Sequence, residues 1–319
     1  MGRGAGQRGG GGYAGRVEFP ENVSLREVGP RDGLQNEDPV ATEAKVALID
    51  ALSKTGDGRI EAVSFVRPEA IPQMADAEQV WTQATKAANV RYSALVPNLK
   101  GAVRALDAGF TELEAVVSAS ETHNRKNVNR STEQSLDEIA EIIALAHGKG
   151  ATLQVIVATA WGCPYEGGVP VSRTIQVTSR AINDGADSAS FGDTTGMATP
   201  TRVRQLVGAF RDRHPQQSLN LHFHNTRGTG LANVLAALEL GITDFDASVG
   251  GLGGCPYAPG ATGNIATEEF VHMVEDMGIA TGINLEAMID AAAEAERIVG
   301  RTLPSQVLRA GPRTRTIEQ

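Results

Sequence analysis

A repeated alternation of short β-prone runs with longer segments of helical period most restricts how this chain of 319 residues can fold. The alternation begins at Val23 and occurs eight times, with strand candidates about 32 residues apart, close to the size of one βαβ unit. Strands that are separated by helices usually pair in parallel, so we expect an α/β protein. The candidate strands are Val23–Val28, Ile60–Phe65, Arg91–Leu95, Leu113–Val117, Thr152–Ala158, Ser188–Phe191, Leu219–His224 and Asp244–Ser248.

Eight uninterrupted strand and helix units favour a closed (β/α)₈ TIM barrel over an open doubly wound sheet. No G-x-G-x-x-G run follows the first strand, as a dinucleotide-binding fold would usually show. Helices are predicted at Thr42–Lys54 and Ser131–His147, each opening on a capping residue. Residues 284–299 predict an extra amphipathic helix after the eighth unit. We expect the barrel to span residues 22–300.

Both ends of the chain are expected to lie outside the barrel. Residues 1–16 contain eight glycines, three arginines and no acid, which predicts a disordered tail because little apolar surface is available to bury. A transit peptide and an RGG-like tail that binds nucleic acid are the alternative interpretations. Residues 301–319 are polar and contain Pro304 and Pro312, so we expect this segment to be loose.

Charge and cysteine content limit the partners and the compartment. A net charge of −9 argues against general binding to nucleic acid or to an anionic membrane, since both require a basic surface. No stretch approaches the roughly 18 apolar residues of a membrane span. With only two cysteines, Cys163 and Cys255, a disulfide framework is not expected, and we predict a cytoplasmic protein. An anionic substrate would therefore need a local basic pocket.

Polar residues at the ends of two predicted strands point to one site, because barrel active sites lie at the carboxyl ends of the strands. Arg31 and Asp32 follow the first strand, and a charged turn is the plainer interpretation of this pair. His222 and His224 lie on one face of the seventh strand, where they bind an ion or are simply buried. Together with Asp32 they predict a mixed nitrogen and oxygen site for a divalent cation.

Further candidates lie at the second, sixth and eighth strands. Glu61 and Asp193 place acids near the predicted mouth, where either one is alternatively a salt-bridge partner of Arg31. The stretch 250–264 is rich in glycine and proline, which predicts a lid. Cys255 lies within it, and the sequence leaves both a reactive and an inert thiol open. Cys163 is interpreted as structural.

Longer stretches carry a resemblance to a known family. These stretches are EVGPRDGLQNE (27–37), EAVSFVRPEAIPQMAD (61–76), VPNLKGAVRALDAGFTELE (96–114), SASETHNRKNVNRS (118–131), GCPYEG (162–167), FGDTTGMATP (191–200), HFHNTRGTGLANVLAAL (222–238) and GLGGCPYAPGATGNIATE (251–268). With them, over residues 22–300, the chain resembles the 3-hydroxy-3-methylglutaryl-CoA lyase family, which belongs to the metal-dependent TIM-barrel lyases and Claisen synthases.

The resemblance assigns a role to each candidate residue. It implies that Arg31 steadies the thioester-side oxygen and that Cys255 acts from a mobile loop. His222 is the implied base for the substrate hydroxyl, and Asp193 is its rival. The implied ligands of Mg²⁺ or Mn²⁺ are Asp32, His222, His224 and Asn264, and the implied supporting acids are Glu61, Asp193 and Glu268.

The implied reaction is a retro-Claisen cleavage of an acyl-CoA substrate, foremost 3-hydroxy-3-methylglutaryl-CoA to acetyl-CoA and acetoacetate. Alternatives are a lyase for a longer 3-hydroxy-3-alkylglutaryl-CoA or for citramalyl-CoA, and a Claisen synthase of the same group. A place in leucine degradation and a homo-oligomer, with a dimer favoured, are also implied.

The chain departs from the family pattern directly after the two histidines. Asn225 and Arg227 replace the usual aspartate and tyrosine, which changes the charge next to the metal ligands. Arg227 either pairs with a local acid such as Asp244 or Asp246, or faces an anionic group of the substrate. We expect the second role, and the acyl group is therefore less certain than the reaction.

Overall fold

The computed structural model describes residues 18–56, 58–254 and 262–316. Eight parallel strands close into one barrel in chain order, and the first strand pairs with the last. This confirms the TIM-barrel prediction, and the observed strands differ from the predicted ones by at most two residues at either end. They are β1 (Ser24–Glu27), β2 (Arg59–Ser64), β3 (Arg91–Leu95), β4 (Glu112–Ser118), β5 (Thr152–Ala158), β6 (Ser188–Gly192), β7 (Leu219–His222) and β8 (Asp244–Ala247).

Helices connect the strands, and the predicted extra helix is present as α10, where the Asn284 side chain accepts a hydrogen bond from the Ala287 amide. The described α-helices are α1 (Thr42–Leu52), α2 (Ala77–Gln83), α3 (Leu99–Asp107), α4 (Glu121–Val128), α5 (Thr132–Gly148), α6 (Val171–Asn183), α7 (Pro200–Arg213), α8 (Gly230–Leu238), α9 (Thr267–Asp276), α10 (Leu285–Val299) and α11 (Gln306–Ala310). None of the described helices is long and apolar enough to cross a membrane.

The two predicted helix caps have different outcomes. Ser131 caps α5 in a capping box with Gln134, as its position before the apolar repeat predicts. The predicted cap at Thr42 is wrong, because Ala41 occupies the cap position of α1. The Thr42 hydroxyl instead donates to the Asp76 carboxylate at 2.6 Å, so a tertiary contact replaces the local one.

Alternate residues of the barrel strands face two different environments. Leu25, Leu221 and Phe245 are buried in the apolar core that the helices cover. Their strand neighbours include Arg26 and Asp246, which are equally buried and contact each other inside the barrel. The barrel interior is therefore charged and polar, although branched apolar residues usually fill this fold.

Part of the segment after α10 packs against the rest of the chain, so the expectation of a loose end is wrong for residues 303–311. Leu303 is 1% exposed and lies over Gly250, where an added Cβ would come within 2.3 Å of its side chain. Ser305 is buried and caps α11. Residues 317–319 and the predicted tail at residues 1–16 lie outside the described residues.

Replacing Leu303 tests whether this segment contributes to stability. Leu303→Ala is expected to lower the free energy of unfolding by about 2–5 kcal/mol, because it empties a buried leucine site. Urea unfolding followed by circular dichroism measures the change. Arg313→Ala, which removes a side chain that is 68% exposed, is the control and should change stability by less than about 0.5 kcal/mol. Equal values for the two variants would contradict the packing role of Leu303.

Candidate active site

Glu27, a buried residue at the end of β1, holds the backbone that leads into the site. The Glu27 Oε1 atom accepts hydrogen bonds from the amides of Gly29 and Val249, at 2.7 and 2.9 Å. Its Oε2 atom accepts one from the Thr267 hydroxyl at 2.5 Å. Burial raises the pKa of Glu27 to about 7, although these donors oppose the shift. Glu27 thereby fixes the short π-helical turn Gly29–Gly33 at the mouth.

Three predicted metal ligands meet at the mouth of the barrel. Asp32, His222 and His224 each offer one ligand atom, and these atoms lie within 4.8 Å of one another. The Nε2 atoms of the two histidines are 3.1 Å apart, and His222 Nε2 is 3.9 Å from Asp32 Oδ2. Adjacent ligands of a six-coordinate ion with bonds of about 2.1 Å lie roughly 3 Å apart. The three ligand atoms are therefore close enough together for one divalent cation to bind between them.

The electrostatics of the cluster favour the forms that bind metal. Burial alone would raise the pKa of Asp32, but Arg31 and the two histidines hold it below its ordinary value. Burial and the neighbouring His222 lower the pKa of His224 to about 4. At neutral pH the site thus offers a carboxylate and a neutral imidazole, as coordination demands.

Asn264, the fourth ligand implied by the resemblance, also lies at the cluster. It forms an isolated bridge with His224, and its Nδ2 atom donates to Asp32 Oδ2 at 2.8 Å and to the Leu252 carbonyl at 3.0 Å. The amide nitrogen rather than the oxygen therefore faces Asp32. Coordination through the amide oxygen would require this side chain to turn about its last bond.

A carboxylate supports His222 from below, as is usual for histidines that bind metal. Asp246 Oδ2 lies 3.1 Å from His222 Nδ1, so Nε2 is the nitrogen that faces the cluster. A carboxylate, two imidazoles and a nearby amide form a mixed donor set that suits a divalent cation. The residues present therefore fit the metal that the sequence predicts.

Arg31 is a buried cation beside the cluster. Its Nη1 atom donates to Asp32 Oδ1 at 2.7 Å, and its Nη2 atom lies 2.6 Å from Glu61 Oε2. The salt-bridge interpretation of Glu61 is thus realised in the structure. The Arg31 Nε atom is buried and has no hydrogen-bond partner among the described residues, so one donor is available to a ligand.

Asp193 follows β6 at the same mouth. Its Oδ1 atom accepts hydrogen bonds from the amides of Met197 and Ala198 at 2.7 and 3.1 Å, which fixes the carboxylate. The Oδ2 atom is buried without a partner in the part of the chain that the structure describes. Burial raises the pKa of Asp193 to about 6, while the two amides and His222 oppose the shift. Asp193 is not a partner of Arg31.

Glu268 does not join the metal cluster. It is the second residue of α9, and its Oε2 atom accepts a hydrogen bond from the Gly250 amide at 3.0 Å. Burial raises its pKa to about 7 against an opposing hydrogen bond from Ser305. Glu268 thus joins the first turn of the glycine-rich stretch to the segment that follows α10.

The glycine-rich stretch begins and ends beside the cluster. Gly254 and Thr262 form an antiparallel bridge, and Gly263 passes so close to Gly253 that an added Cβ would lie 2.0 Å from a carbonyl oxygen. Only glycine allows this approach. Cys255, the predicted reactive thiol, lies outside the described residues. Cys163 is buried and accepts a hydrogen bond from the Ser120 hydroxyl, in agreement with a structural role.

Asn225 and Arg227, where the chain leaves the family pattern, both bind backbone at the mouth. The Asn225 side chain accepts a hydrogen bond from the Gly230 amide at the start of α8. Arg227 Nη1 donates to the carbonyls of Thr195 and Gly196, in the turn that also contains Asp193. Arg227 therefore does not pair with Asp244 or Asp246, and its contact with a substrate stays a prediction.

Sequence reasoning missed the buried charges beneath the mouth. Arg26, Glu114 and Asp246 contact one another or His222, yet the sequence interpretation treats the first two only as parts of apolar strands. Their signal was a charged residue at an inward position of a predicted barrel strand. This alternation would have placed all three below the metal cluster.

Comparison with known proteins agrees with this arrangement. Residues 22–294 match the family described as HMGL-like. The chain belongs to this family. It is 46% identical to the hydroxymethylglutaryl-CoA lyase YngG of Bacillus subtilis, over 92% of this chain and 98% of that protein. It is 42% identical to the (R)-citramalyl-CoA lyase of Chloroflexus aurantiacus, over 92% of this chain and 96% of that protein.

A solved structure shows the same fold with ligands. It is an HMG-CoA lyase from Acinetobacter baumannii in complex with coenzyme A and 3-methylmalate, and it is 44% identical to this chain. The two structures superpose with a TM-score of 0.90, over 95% of this chain and 99% of the other. These likenesses confirm the resemblance and the barrel that the sequence predicts.

The raised pKa of Glu268 predicts how stability depends on pH. The folded value of about 7 exceeds the unfolded value of about 4.3, so the folded protein keeps a proton that the unfolded chain releases. Increasing pH across this window therefore lowers stability, and Glu268→Gln removes this loss. The unfolding free energy of the variant relative to wild type should increase from pH 4.5 to pH 7.5 in urea titrations. Glu286→Gln, an exposed change, is the control, and a difference independent of pH would contradict the assignment.

Proposed function

We propose that this protein is a carbon–carbon lyase that depends on a divalent metal and cleaves 3-hydroxy-3-methylglutaryl-CoA to acetyl-CoA and acetoacetate. The observation that carries the proposal is the cluster of Asp32, His222 and His224 at the mouth of an HMGL-like barrel. Relatives at 41–46% identity are named hydroxymethylglutaryl-CoA lyases. The acyl-CoA substrate is supported by the relative that was solved with coenzyme A.

The metal would be held by Asp32, His222 and His224, with the Asn264 amide as the fourth protein group. Mg²⁺ or Mn²⁺ is proposed because the donor set combines oxygen ligands with imidazoles. When bound, such an ion acts as a Lewis acid that lowers the pKa of the substrate hydroxyl. The protein's part is to hold these ligands in a buried and fixed arrangement.

Cleavage breaks the bond between C2 and C3 of the substrate, and its electron pair passes to C2. Negative charge then develops on the thioester oxygen of the departing acetyl-CoA enolate. The free Nε–H of Arg31 is proposed to donate to that oxygen, while Asp32 and Glu61 hold the guanidinium in place. A preorganised donor of this kind favours the transition state because it needs no reorientation as charge develops.

The hydroxyl proton needs an acceptor, and the structure favours Asp193 over His222 in this proposal. Asp246 contacts Nδ1 of His222 and the metal cluster faces its Nε2, so no ring nitrogen is left to take a proton. Asp193 keeps a free Oδ2 and has a pKa of about 6, close to the value that suits a base at neutral pH. His222 is therefore proposed as a ligand alone.

The enolate carbon must then gain a proton to complete acetyl-CoA. Cys255 is proposed as its donor, since it directly follows Gly254, which lies at the mouth of the barrel. A loop that closes over the substrate would also exclude water from the reactive enolate. Glu27 and Glu268 support this loop from its amino-terminal side through Val249 and Gly250.

A second candidate substrate is citramalyl-CoA. The Chloroflexus aurantiacus relative is named for this activity and is 42% identical to the chain. Both substrates have a tertiary hydroxyl next to the bond that breaks, so the proposed residues serve either one. The cytoplasmic location and the homo-oligomer, with a dimer favoured, stay predictions.

The metal requirement and the substrate are tested together. The protein is incubated with Mg²⁺ and one thioester at a time, and the release of acetyl-CoA is followed. The thioesters are 3-hydroxy-3-methylglutaryl-CoA, its longer 3-alkyl homologues and citramalyl-CoA. Asp32→Ala should lose at least about 10³-fold in kcat, because the remaining ligands hold the ion poorly. Asp38→Ala, an exposed change in the same stretch, is the control. Full activity after chelation would refute the requirement for a metal. Faster release of acetyl-CoA from citramalyl-CoA would refute 3-hydroxy-3-methylglutaryl-CoA as the primary substrate.

The base is tested by the pH dependence of the reaction. Asp193 accepts a proton only when ionised, so kcat/KM at saturating Mg²⁺ should fall below about pH 6. Asp193→Asn should lower kcat by about 10²- to 10⁴-fold and abolish this acidic limb. Asp244→Asn makes the same change at the opposite end of the barrel and should leave the profile unaltered. An Asp193→Asn enzyme with the wild-type profile would remove Asp193 from proton transfer.

A further inference from the structure

Beneath the mouth, one guanidinium joins two buried carboxylates. Arg26 lies on β1, and its Nε and Nη2 atoms donate to Asp246 on β8 at 2.9 and 2.8 Å. Its Nη1 atom donates to Glu114 on β4. All three side chains are at most 4% exposed. Because β4 lies across the barrel from β1 and β8, Arg26 spans the barrel interior.

One branch of these contacts leads to the metal cluster. The Asp246 oxygen that accepts from Arg26 Nη2 is the same atom that lies 3.1 Å from His222 Nδ1. A carboxylate fixed by two parallel hydrogen bonds cannot rotate, so it fixes the plane of the imidazole as well. It also favours the tautomer in which His222 Nε2 is unprotonated and free to bind an ion.

The other branch leads to Arg31. Burial is the main reason why the pKa of Glu61 is well above its ordinary value, and the negative charge of the nearby Glu114 raises it further. Glu61 in turn contacts Arg31 Nη2 at 2.6 Å, and Arg31 contacts Asp32. These contacts, together with the influence of Glu114 on the charge of Glu61, form a ring through the barrel interior. Its members in order are Arg26, Asp246, His222, Asp32, Arg31, Glu61 and Glu114.

We propose that Arg26 is a positioning residue for the reaction, which sets the orientation of His222 through Asp246. Arg26 touches neither substrate nor metal in this scheme. The inference rests on the proposed function, because it assigns to Arg26 the support of the same metal site. A guanidinium suits this role, since its planar fork serves one carboxylate with two donors and a second carboxylate with another.

Lysine is the informative replacement at this position. Arg26→Lys keeps the positive charge, so Asp246 and Glu114 are not left as uncompensated buried carboxylates, which would strongly destabilise the fold. A single ammonium, however, cannot hold Asp246 in two parallel hydrogen bonds. Arg26 also lines a polar cavity of about 550 Å³ at the amino-terminal end of the barrel, so truncation to alanine would enlarge that cavity toward the site.

Arg59 supplies the matched control. It lies on β2 and also lines the cavity, and its Nη1 atom pairs with Asp244 at 2.9 Å. Arg59→Lys therefore changes a largely buried arginine within the same barrel, one level further from the mouth. If any loss in Arg26→Lys reflected only general disturbance of the barrel interior, Arg59→Lys should show it too.

The first measurement is Mn²⁺ affinity without substrate, by the loss of the free-ion electron paramagnetic resonance signal. Arg26→Lys should weaken Mn²⁺ binding about 10- to 100-fold, as is usual when the support of a metal ligand is lost. Arg59→Lys should stay within about twofold of wild type. In the lyase assay at saturating Mn²⁺, Arg26→Lys should lower kcat more than it raises KM, because it misorients groups that act in the transition state.

A double-mutant cycle tests the route through Asp246. Asp246→Asn keeps the side-chain shape and should weaken Mn²⁺ binding to a similar degree. If Arg26 acts through Asp246, the double variant should lose little more than either single variant. Asp246→Asn alone also tests the branch if Arg26→Lys fails to fold, which circular dichroism would reveal.

The results that overturn the inference are specific. Wild-type Mn²⁺ affinity in Arg26→Lys or in Asp246→Asn, or equal losses in Arg26→Lys and Arg59→Lys, would reduce Arg26 to a packing residue. Fully additive losses in the double variant would refute the route through Asp246. A wild-type protein that fails to bind Mn²⁺ would overturn both the inference and the metal site. A protein that binds Mn²⁺ but cleaves no thioester would refute the proposed function while the comparison of affinities still holds.

Discussion

The paired hydrogen bonds between Arg26 and Asp246 are the interaction on which the inner barrel depends. Charges are costly to bury, and four carboxylates of this interior are each paired with an arginine. Arg26 neutralises Asp246 and Glu114, and Arg31 does the same for Asp32 and Glu61. Arg26 and its two acids lie beneath the metal cluster, and Arg31 and its two acids lie beside the cluster at the mouth. His222 connects the two groups, because it contacts Asp246 and is itself part of the cluster.

A separate group of contacts ties the rim of the mouth to the outer helices. Glu27 at the end of β1 and Glu268 on α9 both accept amide hydrogen bonds from the segment that follows β8, at Val249 and Gly250. Leu303 packs on the same segment from outside. The glycine-rich stretch therefore starts from a firmly held base, whereas its own composition allows close backbone approaches.

Much of the fold and most of the ligand set could be predicted from local patterns. The regular alternation of strands and helices determined the barrel, because eight βαβ units have few other ways to bury their sheet. His222 and His224 were readable because period two places them on one face, and Asp32 because it follows a strand. Asn264 and Glu268 were reached only through the family resemblance, since neither follows a strand end. Glu268 then proved to support the loop's base rather than the cluster.

The remaining features depend on contacts between distant parts of the chain, which no local pattern contains. Thr42 looks like a helix cap, but it is the first residue of α1, and its hydroxyl donates to Asp76, which lies 34 residues further along the chain. The polar composition of the segment from Arg301 predicts a loose end, but Leu303 packs over Gly250. Arg26 looks like a surface charge within a short strand. Its burial becomes necessary only once the barrel has closed, when alternation turns the side chain inward and Asp246 and Glu114 are the groups that meet it there. Closure of the barrel is thus what converts separate charged residues into one connected support for the site.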